Sequence, residues 1–166
     1  MITAINPATG EMLEKYEETT PNEVMRRLEK AHHAFQAWKQ TSFSERAASM
    51  KEASRVLVES QSEYAQTMAL EMGKPVTQGR AEIEKCAWVC EYYAEHAEKM
   101  LQPEITKTDA RKSYVTFNPL GVILAVMPWN YPFWQVFRHA APGLMSGNGV
   151  ILKHASKPYT GRRRSG

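Results

Sequence analysis

Asn130 sits between two prolines in the stretch Met127-Pro128-Trp129-Asn130-Tyr131-Pro132-Phe133-Trp134-Gln135. An apolar run precedes this stretch and a helical pattern follows it, so it reads as the loop at the C-terminal end of a buried strand. Open α/β sheets bind ligands at that place, and the sequence would set a side-chain amide there. The competing reading is an ordinary Pro-rich turn with Asn130 as a local cap, because such turns are common. Trp134 and Arg138 lie four apart on the following helix and share one face. Spacing alone does not separate a ligand-binding Arg138 from a solvated or ion-paired one.

Cys86 and Cys90 are also four apart in a helical pattern. Helical thiols with no neighbouring His are usually buried small hydrophobes, so both read as structural. His32, His33, His96 and His139 have no metal-ligand spacing, and no metal is expected. Gly147-Asn148-Gly149 is not the dinucleotide fingerprint, whose glycines lie between a strand and the helix after it. Here the glycines follow a helix and stop it. Trp88, Tyr92 and Tyr93 are expected to pack a helix.

The elements that carry these residues can be read in order. Asn6-Pro7-Ala8-Thr9-Gly10 has turn chemistry, and Ile2–Ile5 and Met12–Tyr16 are expected to form a hairpin around it. Thr20-Pro21-Asn22-Glu23 is a capping-box pattern that should open a helix running to about Lys39. A second box, Ser42-Phe43-Ser44-Glu45, should open one helix with Met50, Ala53, Leu57, Tyr64 and Met68 on one face, ending at Gly73. A further helix is expected from about Pro75 to Met100. Ser113–Phe117 reads as a strand, and Val122–Met127 as a strand buried on both faces. Pro132–Ser146 reads as a helix and Val150–Lys153 as the next buried strand. Strand, helix and strand make the βαβ unit of a parallel sheet, and one such unit leaves that sheet incomplete.

Composition sets the outer limits. The chain has 166 residues, 43% of them apolar and 23% charged, with a net charge of +3. Part of that charge is Arg162-Arg163-Arg164, so the body is nearly neutral and no nucleic-acid partner is expected. No apolar run is long enough to span a membrane, and Met1–Gly10 has no signal-peptide pattern. The cysteine usage fits a reducing cytoplasm.

Four segments carry a resemblance. Asn6-Pro7-Ala8-Thr9-Gly10, Glu71-Met72-Gly73-Lys74-Pro75, Pro119-Leu120-Gly121-Val122 and Pro128-Trp129-Asn130-Tyr131-Pro132 stand in the order and spacing seen in the aldehyde dehydrogenase superfamily. Through about residue 155 the chain resembles that superfamily, and in detail its succinate-semialdehyde dehydrogenase branch. The resemblance implies an α/β fold: helices followed by the start of a Rossmann-like parallel sheet, the N-terminal part of the aldehyde dehydrogenase fold. It implies a partial NAD(P)-binding domain over 1–156, an oligomerisation-type strand near 111–118, and an atypical polar tail over 157–166.

The resemblance also implies a chemistry. A Cys thiolate attacks the aldehyde, the tetrahedral oxyanion passes its hydride to a nicotinamide, and a Glu-activated water hydrolyses the thioester. Asn130 matches the residue that donates its side-chain N–H to the oxyanion. Arg138 matches an Arg that grips the substrate carboxylate, a task suited to its planar fork, and Trp134 and Tyr131 join it at the substrate. Trp129, Lys153 and Ser156 fall at cofactor-binding positions, with Lys153 toward the adenosine ribose. Ser156 stands where NAD-preferring members often carry Glu, so NADP is expected to be tolerated beside NAD. His154 departs from the Pro common after that Lys.

The remaining partners implied are a small-molecule aldehyde and further copies of the chain in a homo-oligomer. The family's Cys, its general-base Glu and its glycine-containing cofactor loop are expected beyond residue 166, and Thr160–Gly166 reads as out-of-frame translation or a cloning artefact. Two readings follow: an N-terminal fragment of a dehydrogenase, inactive by itself, or a non-catalytic binding or oligomerisation module. The first is the expectation.

Overall fold

The hairpin forms where turn chemistry places it. Strands β1 (Ile2–Ile5) and β2 (Met12–Tyr16) pair antiparallel, Ile2 opposite Tyr16. Asn6 Oδ1 accepts from the Ala8 N–H at 2.9 Å and closes the turn. The structure, a computed structural model, describes residues 1–155. Ser156 and the tail 157–166 lie outside the described residues.

Four helices follow, α1 (Pro21–Trp38), α2 (Phe43–Glu59), α3 (Gln61–Met72) and α4 (Val76–Met100). The capping box at Ser42 is complete: Ser42 Oγ accepts from the Glu45 N–H at 3.3 Å, and Glu45 Oε2 accepts from the Ser42 N–H at 2.7 Å. At Thr20 only half the box forms. Thr20 Oγ1 caps the Glu23 N–H at 3.3 Å, but the Glu23 carboxylate turns to Arg26 and Arg27 instead.

The helix expected to run from Ser42 to Gly73 is broken at Ser60, which departs from helical geometry at φ −95°, ψ 11°. Packing supplies the reason. A Cβ on Gly79 of α4 would lie 3.1 Å from both Cα and Cβ of Ala65, so α3 crosses α4 almost backbone to backbone. The break lets α3 take that close crossing while Met50 and Leu57 of α2 stay buried in the same core. Gly73 then ends α3 in the left-handed region, φ +71°, with its N–H bonded to Ala69 O.

Helix α4 runs through the core. Ile83, Cys86, Ala87, Cys90 and Ala97 are buried on it against Met50, Leu57, Met68, Ala141 and Met145. Cys86 and Cys90 are packed as small hydrophobes, as their spacing indicated. Trp88 departs from expectation: it is 56% exposed. It falls off the face that carries Cys86 and Cys90 and stacks outward on Tyr92, ring centroids 5.5 Å apart. Tyr93, by contrast, packs against the core.

The C-terminal part holds four short strands and a helix: β3 (Glu104–Ile105), β4 (Tyr114–Val115), β5 (Val122–Val126), α5 (Pro132–Met145) and β6 (Gly149–Lys153). Strand β4 is shorter than Ser113–Phe117 because β3 opposes it over only two residues. Strands β5 and β6 pair parallel, Val122 opposite Gly149 and Val126 opposite Lys153, with α5 as the crossover. Asn148 is buried after α5, and its Oδ1 accepts from Leu120 N–H at 2.6 Å and Gly121 N–H at 3.1 Å, tying the start of β5 to the start of β6.

Neither β5 nor β6, expected as buried strands, is buried on both faces; in β6 Leu152 and Lys153 are exposed. In β5 Ala125 is buried, but Leu124 and Val126 are 63% and 64% exposed. A parallel strand is covered on both sides only when helices flank both faces of its sheet. Among the described residues, no element covers the face that Leu124 and Val126 present.

Candidate active-site loop

The turn Pro128–Tyr131 leaves the C-terminal end of β5 and enters α5. Its start is tied to the neighbouring strand, since the Met127 N–H donates to Lys153 O at 3.1 Å. Its end is fixed by Pro132, whose ring suits the first position of a helix. Asn130 is exposed, and its side chain has no hydrogen bond with another described residue. A local cap would show such a bond, and α5 has no side-chain cap at its own N-cap, Tyr131.

The capping is done from elsewhere. Glu82, on α4, is buried, and its Oε1 accepts from the Phe133 and Trp134 N–H groups, each at 2.9 Å. Glu82 Oε2 pairs with the Lys74 ammonium, and Lys74 Nζ lies 4.0 Å from the centre of the Tyr131 ring.

Two clefts flank the turn. Trp129 helps line an apolar one of about 570 Å³, between the β1–β2 hairpin (Ile2, Tyr16), the end of α3 (Met72) and α5 (Phe133), reaching Leu152 and His154 at the end of β6. Tyr131 and Trp134 line another of about 340 Å³ with Gln78, Ala81, Glu82 and Lys85. Lys85 Nζ lies 4.1 Å over the Trp134 ring. Arg138 is exposed one turn beyond Trp134, and among the described residues its guanidinium meets no carboxylate. Lys153 ends β6 beside the first cleft, also exposed. The structure therefore gathers Trp129, Asn130, Tyr131, Trp134 and Lys153 about one turn.

The thiols stand apart from this. Burial pushes Cys86 up to about 12, with Glu82 and Cys90 adding to the shift, and Cys90 up to about 11, with Glu91 adding. Both are protonated at neutral pH and neither opens on a cleft, so neither is a nucleophile. Among the described residues no three His, Cys, Asp or Glu side chains converge to hold a metal.

The sequence pattern of the aldehyde dehydrogenase family matches residues 1–160. This chain belongs to that family. It is 48% identical over 155 residues to a probable NADP(+) succinate-semialdehyde dehydrogenase of Synechocystis sp., a match covering 93% of this chain and 34% of that one. It is 41% identical to the Sad succinate semialdehyde dehydrogenase of Escherichia coli, described for NAD(P)+, over 92% of this chain and 33% of that protein. The succinic semialdehyde dehydrogenase of Streptococcus pyogenes, solved with NADP+, superposes with a TM-score of 0.90 at 34% identity, covering 95% of this chain and 35% of that one. The chain thus spans about a third of the length of the relatives it matches.

The fold is the N-terminal part of the aldehyde dehydrogenase fold, in agreement with the sequence. Sequence reasoning missed Glu82, Lys74 and Lys85. One signal for Glu82 was present: it falls on the apolar stripe of α4 between Gly79 and Cys86, where an acid must find a buried partner. The partner itself is 51 residues away at Phe133.

Proposed function

We propose that this chain supplies the oxyanion donor, the substrate-carboxylate site and part of the cofactor site of an NAD(P)-dependent succinate-semialdehyde dehydrogenase. The observation that carries the reading is the place of Asn130. Its neighbours on either side line different clefts, Trp129 the apolar one and Tyr131 the smaller one, and on this reading its exposed amide would serve a substrate held between them. An amide N–H with no bond to another described residue is available there to a developing oxyanion.

The apolar cleft is aromatic-edged and reaches the C-terminal end of β6, and on this reading it receives part of a nicotinamide dinucleotide. Trp129 would hold that group from the cleft. Lys153, at the end of β6 and outside the cleft's lining, and Ser156 are proposed to meet it as well; when bound the group accepts the hydride. NADP is proposed to be accepted as well as NAD. Tyr131 and Trp134 would shape the substrate side, with Arg138 binding the distal carboxylate. The nucleophilic thiolate and general base would come from residues outside this chain, since Cys86 and Cys90 are its only cysteines and both are buried. Residues 1–156 are part of an NAD(P)-binding domain on this reading. The exposed β3–β4 ribbon, with Ile105 85% exposed, is the surface we assign to assembly with further copies.

The test is Asn130→Ala in a complete dehydrogenase carrying this segment. Loss of an oxyanion donor should lower kcat about 100- to 1000-fold while the Kd for cofactor changes little. Parallel loss of both would refute the assignment.

A further inference from the structure

Helix α5 starts without a cap of its own: Tyr131 gives no side-chain hydrogen bond, and the first turn holds no acid. The free N–H groups of a first helical turn need acceptors, and a carboxylate is favoured there by the helix dipole. Glu82 provides both, from a different helix. It receives two N–H groups on one oxygen and the Lys74 ammonium on the other. Lys74 in turn covers the Tyr131 ring. Both side chains are buried, at 5% exposed for Glu82 and 8% for Lys74.

The turn that carries Asn130 is therefore held at both ends. Met127 is bonded to β6, and Tyr131 to Trp134 are gripped by Lys74 and Glu82. Asn130 makes no side-chain bond with another described residue, so the place of its amide is set by where the backbone puts its Cα and Cβ, and that backbone is held by these two residues. A buried ion pair adds little net stability over an apolar pair of like volume. What this pair adds is a fixed place for the turn.

We infer that Lys74 and Glu82 are positioning residues for Asn130, acting through the start of α5. The inference rests on the role given to Asn130 above. It also joins two separate sequence motifs, Glu71–Pro75 and Pro128–Pro132, into one structural unit.

The experiment is a double-mutant cycle in a complete dehydrogenase whose first 155 residues are those of this chain. Lys74→Met/Glu82→Leu removes both charges at similar volume, a change that buried pairs commonly tolerate, while leaving the α5 N–H groups without their acceptor. Misplacing a reacting group by about 1 Å can cost about 100-fold, so kcat should fall about 10-fold or more, with cofactor KM within about 2-fold. In an Asn130→Ala background the same pair should change kcat by less than about 2-fold, because the group it positions is already gone. Equal fold losses in both backgrounds, or an unchanged kcat in the parent, would overturn the inference and leave the Asn130 reading standing. If Asn130→Ala alone leaves kcat intact, that reading fails and this one with it. Should the paired variant not fold, Glu82→Leu alone, which removes the acceptor of both N–H groups, is judged by the same two comparisons.

Discussion

Arg138 and Lys85 place two cations near the Trp134 ring, one a helical turn along α5 and one 4.1 Å above the ring. No carboxylate among the described residues engages Arg138. A charge-assisted bond from its guanidinium to a substrate carboxylate is worth about 1.5–3 kcal/mol. Arg138→Ala in a complete enzyme should therefore raise KM for succinate semialdehyde about 10- to 100-fold. A neutral aldehyde of similar length should be barely affected, and equal shifts for both would end the carboxylate role. The thiols allow a second test at this scale. Cys86 and Cys90 sit above their ordinary 9.0 in the folded state, at about 12 and 11. Raised folded values mean that their contribution is complete below pH 9 and is lost as pH climbs through 11 to 12. Replacing both with Ala should flatten the alkaline fall in stability seen in urea titrations from pH 8 to 11. An identical fall in parent and variant would show that the thiols are not buried as described.

The contact between α3 and α4 gives a prediction whose sign depends on the tertiary structure. In an isolated helix Gly79→Ala would be stabilising by about 1 kcal/mol. Here the new Cβ would meet Ala65 Cα and Cβ at 3.1 Å and Met68 Cε at 3.3 Å. Backbone cannot yield as a side-chain tip can, and overpacking of this kind costs about 1–3 kcal/mol. Gly79→Ala should lower the Tm, and a raised Tm would mean that the helices are not in contact there. Elements were largely legible in the sequence because capping residues, Pro and Gly act locally. The hairpin, the starts of α1 and α2, the stop at Gly73 and the β5–α5–β6 order all follow from such signals. The break at Ser60 and the two-residue length of β4 were not legible, since each is set by a partner distant in sequence, α4 in one case and β3 in the other.

At the scale of the molecule, β5 presents Leu124 and Val126 on an open face, and β3–β4 presents Ile105, Tyr114 and Val115. Exposed strand surfaces of this kind promote association. The 166-residue polypeptide made by itself should show no aldehyde-dependent reduction of NAD or NADP, because its two cysteines are buried and protonated. Turnover by purified material would overturn the division of labour proposed above. No helix among the described residues is long and apolar enough to cross a membrane.

The sequence by itself determined most of the order of elements, without the division of α2 from α3 or strand β3, together with the family and the residues of the Asn130 turn, since each is encoded in local patterns of caps, turns and short motifs. Only the tertiary structure decided what holds that turn. Lys74 shows nothing at its own position beyond following a glycine stop, and Glu82 shows only that it falls on the apolar stripe of α4. They acquire a role because α4 lies against the start of α5, where two N–H groups lack acceptors and a buried carboxylate lacks a partner. Each unmet need is local, but the geometry that satisfies both at once comes from packing across 51 residues of chain.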